Sequence, residues 1–174
     1  MSRWARAPVL IAVAAAAIAS AGPASAAAAA PPPRQGPAAR TLVGQQIAAY
    51  AATFVGRYRY KWGGESPKTG FDCSGLTSYV YAHYGMAIAR SAEAQYLTFR
   101  QVPNGKEWRG DLVFFHDTSG YVYHVGIYEG DQTIVAAADR KEGIVDQPVG
   151  TTGVTFGTIT HCAGRPRARP GPRP

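Results

Sequence analysis

Cys73 stands in the run Phe71-Asp72-Cys73-Ser74-Gly75-Leu76, where Asp72 has the character of a helix N-cap and a helical apolar spacing follows. A cysteine in the first turn of a helix lies beside unpaired backbone N–H groups and the positive end of the dipole. Both lower its pKa and favour the nucleophilic thiolate. The same N–H groups suit the oxyanion of a tetrahedral intermediate. On these residues alone a packed cysteine, or one bridged to Cys162, stands level with a nucleophile, because cysteine is commonly buried. Four histidines, His83, His116, His124 and His161, are candidate bases, and none has metal-ligand spacing with another. The chain contains no GxSxG, HExxH, P-loop, GxGxxG or CxxC motif. Thiol chemistry without a metal or cofactor is the expectation.

Charge narrows the partners. The 174 residues carry a formal net charge of +7. Eight of the 18 basic residues (Arg3, Arg6, Arg34, Arg40, Arg165, Arg167, Arg169 and Arg173) lie outside residues 41–164, whereas all 11 acidic ones lie inside. The middle is therefore close to neutral, which argues against a nucleic-acid-reading domain. Residues 1–26 read as a secretory signal: Arg3 and Arg6, an apolar run from Ala7 to Ala19, then Ala24-Ser25-Ala26 as the cleavage pattern. That run is too short for a membrane span and is followed by Gly22-Pro23. Residues 27–40 form an Ala/Pro-rich linker and residues 165–174 an Arg/Pro-rich tail, both expected to be extended and solvated. The tail has the charge to touch anionic wall polymers weakly.

The elements that must position Cys73 come from the middle. Helical spacing covers residues 41–55, a second helix runs from Cys73 to Gly85, and a third spans Ala92 to Phe99. After Gly110 the period changes to short β-rich runs at residues 111–115, 124–128, 133–136, 143–145 and 158–160. Helices first and an antiparallel meander afterwards is an α+β pattern.

Five segments occur in order: Tyr60-Lys61-Trp62-Gly63-Gly64; Phe71-Asp72-Cys73-Ser74-Gly75; Ala89-Arg90-Ser91 with Gln95; Gly110-Asp111-Leu112-Val113-Phe114-Phe115; and His124-Val125-Gly126-Ile127-Tyr128. Together they resemble the NlpC/P60 family of cell-wall cysteine peptidases over residues 41–164. The resemblance implies a papain-like α+β core with N-terminal helices packed on an antiparallel sheet. It makes Cys73 the nucleophile and His124 the base, with Tyr60, Asp72, Ser74 and Arg90 lining the acyl side of the cleft. Trp62 reads as a packing residue, Asp111 as the start of a core strand, His116 as a loop or rim residue. His83 and His161 read as structural or exposed.

One position departs from the family pattern. The polar residue that follows the base histidine by twelve positions is Ala136 here. Asp139 is the replacement of choice for orienting the imidazole, beside a backbone carbonyl or a water. The resemblance implies a secreted, cofactor-free peptidoglycan endopeptidase acting on stem peptides, most specifically at the D-γ-glutamyl–diamino acid bond, with Cys73 and Cys162 unpaired. A peptidoglycan-binding module of the same fold, or another wall amidase, acyltransferase or toxin, is the alternative. N-terminal sequencing of the exported protein checks the leader: the mature chain is expected to begin at or near Ala27.

Overall fold

The structure, a computed structural model, describes residues 37–158, with side chains from Thr41 onward. The signal segment, the basic tail, His161 and Cys162 lie outside the described residues.

Helix α1 (Pro37–Ala52) starts inside the stretch expected to be extended linker. Proline suits the first helical position, where its missing N–H has no intrahelical partner to lose and its φ is preset. The helix stops short of residue 55 because the chain tightens into turns, with the Thr53, Phe54 and Val55 amides donating to the Tyr50, Ala51 and Ala52 carbonyls. Strands β1 (Glu65–Ser66) and β2 (Gly70–Phe71) then form a minimal antiparallel hairpin. Strands of two residues carry no period, and the sequence pattern does not reveal them. Helix α2 (Cys73–His83) begins at the Asp72 cap, and α3 (Ala92–Thr98) begins at Ser91, whose Oγ accepts the Ala94 amide.

Six strands follow: β3 (Arg100–Val102), β4 (Leu112–His116), β5 (Val122–Gly130), β6 (Thr133–Asp139), β7 (Gly143–Pro148) and β8 (Val154–Thr158). All pair antiparallel, in the order β3-β8-β4-β5-β6-β7. The α+β architecture expected from the sequence is the observed one, but the meander covers only β4 to β7. The last strand lies earlier than residues 158–160, returns beside β4, and carries β3 on its far edge.

Alternation along the strands sorts the core into two layers. Leu112 and Phe114 face the helices, packing with Ile47, Leu76, Val80, Val125 and Ile127. Val113 faces the other way, with Tyr128, Ile134, Ala136, Val149 and Phe156. Helix α2 lies across β5 and is tied to the entry of β4 by the buried Tyr81 hydroxyl, which donates to the Gly110 carbonyl at 2.5 Å. The last turn of α2 is thus held against the sheet.

At the far end of β5, Glu129 is pushed up to about 7 by burial and by the neighbouring Asp146 carboxylate, with Arg109 opposing. A carboxyl whose pKa is higher folded than unfolded adds stability below its unfolded value, and that contribution is lost as pH rises through the folded value. Glu129→Gln is therefore expected to gain melting temperature relative to wild type as pH rises from about 4.5 to about 7, with the difference flat above that. Thermal melts across the range check it.

Candidate active site

The backbone of Asp72 is extended (φ −92°, ψ 177°), which folds its carboxylate over the start of α2. Oδ1 accepts the Gly75 amide at 2.7 Å, and Oδ2 accepts the Gly63 amide at 2.8 Å. The Asp72 amide donates to the Gly64 carbonyl at 3.0 Å. The paired glycines therefore lie directly on the helix start. Position 75 must be glycine because the Gly64 carbonyl occupies the space of its Cβ.

Arg90 closes this arrangement. Its Nη1 donates to Asp72 Oδ1 at 2.9 Å and its Nη2 to Oδ2 at 2.8 Å, the bidentate geometry that suits a guanidinium on a carboxylate. Nη1 also donates to Ser74 Oγ at 3.0 Å, and Nε pairs with Glu65 at 2.9 Å. Behind it, the fully buried Gln95 donates to the Ser74 and Ala89 carbonyls and accepts from Thr77 Oγ1. Gln95 thereby fixes the segment carrying Arg90 to the first turn of α2.

Cys73 is the first residue of α2, partly buried, with a free thiol. Burial pushes its pKa up, and the Asp72 charge adds to that. The amide of Val125, followed by those of Ser74 and Cys73 itself, pulls the other way without prevailing. The lowered pKa expected from the helix terminus alone is thus reversed in the resting protein: desolvation outweighs the amides. Val125 adjoins His124 on β5, so the sulfur lies against the strand that carries the imidazole.

The His124 ring packs against Phe115, with centroids 5.3 Å apart. Burial is the single influence on it and holds its pKa down at about 4. At neutral pH the resting pair is a thiol and a neutral imidazole. The Tyr60 phenol is also close: burial and then the charges of Cys73 and Asp72 raise its pKa, with Arg140 opposing.

The structure thus gathers Tyr60, Asp72, Ser74 and Arg90 around Cys73, with His124 on the adjoining strand. It does not bring Asp139 to the imidazole. Asp139 is exposed beyond the Ala137/Asp139 register shift, where Oδ1 accepts the Lys141 and Glu142 amides at 2.7 and 2.8 Å. These bonds cap the β6–β7 turn. Among the described residues, no side chain hydrogen-bonds to the His124 ring. Ala136 is fully buried in the same outer layer that Phe115 packs against.

His116 is a loop brace, its ring nitrogens joined to the Gly120 carbonyl at 3.0 Å and Thr155 Oγ1 at 2.8 Å. His83 stacks on Tyr50. Asp111 is buried at the entry to β4, accepting the Trp108 amide. Trp62 departs from the packing role expected of it, being 77% exposed. Glu65 and the Val125 amide escaped the sequence reading. The first sits in the cryptic hairpin, and the second is a backbone group with no sequence signal.

Residues 56–160 match the model of the NlpC/P60 family. The chain belongs to that family. It is 45% identical over 94 residues to a probable endopeptidase p60 of Listeria seeligeri, a match covering 54% of this chain and 17% of the relative. It is 42% identical over 74 residues to the bifunctional muramidase/DL-endopeptidase CwlT of Bacillus subtilis, covering 41% of this chain and 22% of that one. The match therefore spans less than a quarter of either relative's length. Among solved structures, the NlpC/P60 domain of the peptidoglycan hydrolase SagA superposes with a TM-score of 0.59 at 30% identity, over 67% of this chain and 98% of that one.

The electrostatics of this NlpC/P60 site give a direct check. Alkylation of Cys73 by iodoacetamide at about pH 7 is expected to be slower than that of an unperturbed small thiol, and to accelerate as pH rises past about 9. A faster rate at neutral pH would show a preformed thiolate instead.

Proposed function

We propose that the folded part of this chain is a cysteine endopeptidase that hydrolyses peptidoglycan stem peptides at the D-γ-glutamyl–diamino acid bond, outside the cell. The observation that carries the reading is Cys73 at the capped start of α2, its sulfur against the β5 strand that bears His124. The neutral imidazole takes the thiol proton as sulfur attacks the scissile carbonyl carbon. The amides at the helix start receive the oxyanion. Collapse expels the diamino-acid amine, which receives the proton from the imidazolium, and leaves a thioester on Cys73. Water activated by His124 then releases the carboxylate and restores the thiol. No metal or cofactor takes part in this route.

On the acyl side, Asp72 and Arg90 satisfy each other and hold the wall, and Tyr60 and Ser74 add hydroxyls to it. Asp139 remains the sequence candidate for the third catalytic member, but its bonds support a turn-capping role instead. Packing on Phe115 is then what holds the His124 ring. The bond assigned here agrees with the DL-endopeptidase name of one relative. Ala136 favours a second reading, a peptidoglycan-binding module of low turnover, because no side chain at that position can fix the imidazole tautomer.

Mass spectrometry of muropeptides digested with the mature protein separates the two. Cleavage at the D-γ-glutamyl bond is expected, and Cys73→Ala is expected to abolish it. Asp139→Ala should keep turnover within about twofold, whereas Ala136→His should raise it by fixing the ring. A large loss in Asp139→Ala restores that residue to the triad. Binding without cleavage by the wild type selects the binding module.

A further inference from the structure

Tyr123 precedes His124 at a break in the pairing of β4 with β5. Phe115 lies opposite His124 and His116 opposite Val122, which leaves Tyr123 without a partner across the ladder. In an unbroken strand, residues three apart face opposite sides. Val122 and Val125 instead both pack into the helix-side core, 1% and 0% exposed. The extra residue of the bulge absorbs the difference, so Tyr123 and His124 leave the strand on the same, outer face. There the imidazole packs on Phe115, while Tyr123 stays 59% exposed.

This part of β5 borders the nucleophile. The first β5 residue paired with β6 is Ile127, so β6 does not cover the edge of β5 at Val125, whose amide meets the Cys73 sulfur. In the proposed reaction the leaving amine takes its proton from His124. The residue bearing that amine therefore lies at the imidazole, within reach of Tyr123. A negative charge stands at the same end of the strand: Glu93 of α3 accepts the Val122 amide through Oε2 at 2.9 Å. Among the described residues the ion pairs are those of Arg90 with Glu65 and Asp72, and neither involves Glu93.

We infer that Tyr123 is a specificity-determining residue on the leaving-group side. Its ring seats the side chain of the diamino acid and favours a free terminal ammonium over an acylated one. Stem peptides that are not cross-linked through that amine are then the better substrates. The inference rests on the endopeptidase reading for which residue departs at His124. A tyrosine face takes methylene groups by contact and a cation by the attraction of its ring quadrupole. The Glu93 carboxylate adds the opposite charge nearby. Acylation keeps the methylenes and removes the charge, so the two substrate forms isolate the cation.

The test compares L-alanyl-γ-D-glutamyl-diamino acid tripeptides with the distal amine free or acetylated, prepared with lysine and again with diaminopimelate. The wild-type full chain is expected to show a kcat/KM about fivefold higher for the free form, the order of one exposed cation–π contact. Tyr123→Ser should bring the ratio to about one, and Tyr123→Phe should keep most of it. Glu93→Gln, which preserves an acceptor for the Val122 amide, should lower it in part. Thermal melts verify that the variants fold. Equal wild-type rates on the two forms, a preference that survives Tyr123→Ser, or a loss in that variant that falls equally on both forms overturns the inference. If the wild type cleaves neither form, calorimetry with the full chain carrying Cys73→Ala decides. Tighter binding of the free form then removes the endopeptidase reading alone, and equal binding removes both. Cleavage of both forms at one rate removes the Tyr123 seat alone.

Discussion

The Asp72 carboxylate is the group on which the site depends. Its two oxygens take the Gly63 and Gly75 amides, the Ser74 hydroxyl and both terminal nitrogens of Arg90. One side chain thereby caps the helix that presents Cys73, anchors the glycine loop in front of it and fixes the segment before α3. A carboxylate this enclosed is tolerable only because it is fully partnered. Truncating Arg90 would leave a buried charge unpaired, a change that typically costs far more than a surface ion pair contributes. The Arg90–Glu65 contact is of the exposed kind and trims the geometry more than it holds it.

The same carboxylate works against ionisation of Cys73. A negative charge next to Cys73 disfavours the thiolate, and desolvation adds to it, so the helix terminus does not by itself generate an ion pair. His124, surrounded by apolar groups and packed on Phe115, is equally reluctant to be charged. Both groups are kept neutral at rest, so in the proposed mechanism the proton transfer falls within the reaction instead of before it. The guanidinium on Asp72 reduces the cost of keeping a carboxylate beside a sulfur that the proposed mechanism makes negative.

The sheet contributes stiffness and position. Strand β5 delivers His124 and the Val125 amide from one stretch of backbone, and its pairing with β4 shifts register between Phe115 and His116, beside the imidazole. Bulges of this kind re-aim side chains near functional sites. Ala136 is buried in the outer layer with Val113, Ile134, Val149 and Phe156, so a polar orienting group at that position would need a partner of its own or a path to solvent.

Much was legible before any coordinates. The α+β class, the second and third helices and the four strands of the meander follow from apolar periodicity and from Asp72 and Gly85 as start and stop signals, which are local properties of the chain. The resemblance to the NlpC/P60 family singled out Cys73, His124, Asp72 and Arg90 as a set, and the structure brings Asp72 and Arg90 onto the start of α2 and the sulfur of Cys73 against the strand of His124. Tertiary structure alone decided three things. It set the sign of the Cys73 shift, because desolvation depends on what packs over the sulfur and not on the helix that bears it. It gave Asp139 to a turn, where its carboxylate accepts the Lys141 and Glu142 amides. It turned Trp62 outward, leaving the indole exposed in front of a glycine loop whose Gly64 carbonyl packs on Gly75 at the helix start. Periodicity and motif report what a segment is; burial, register and charge separation depend on neighbours distant in the chain.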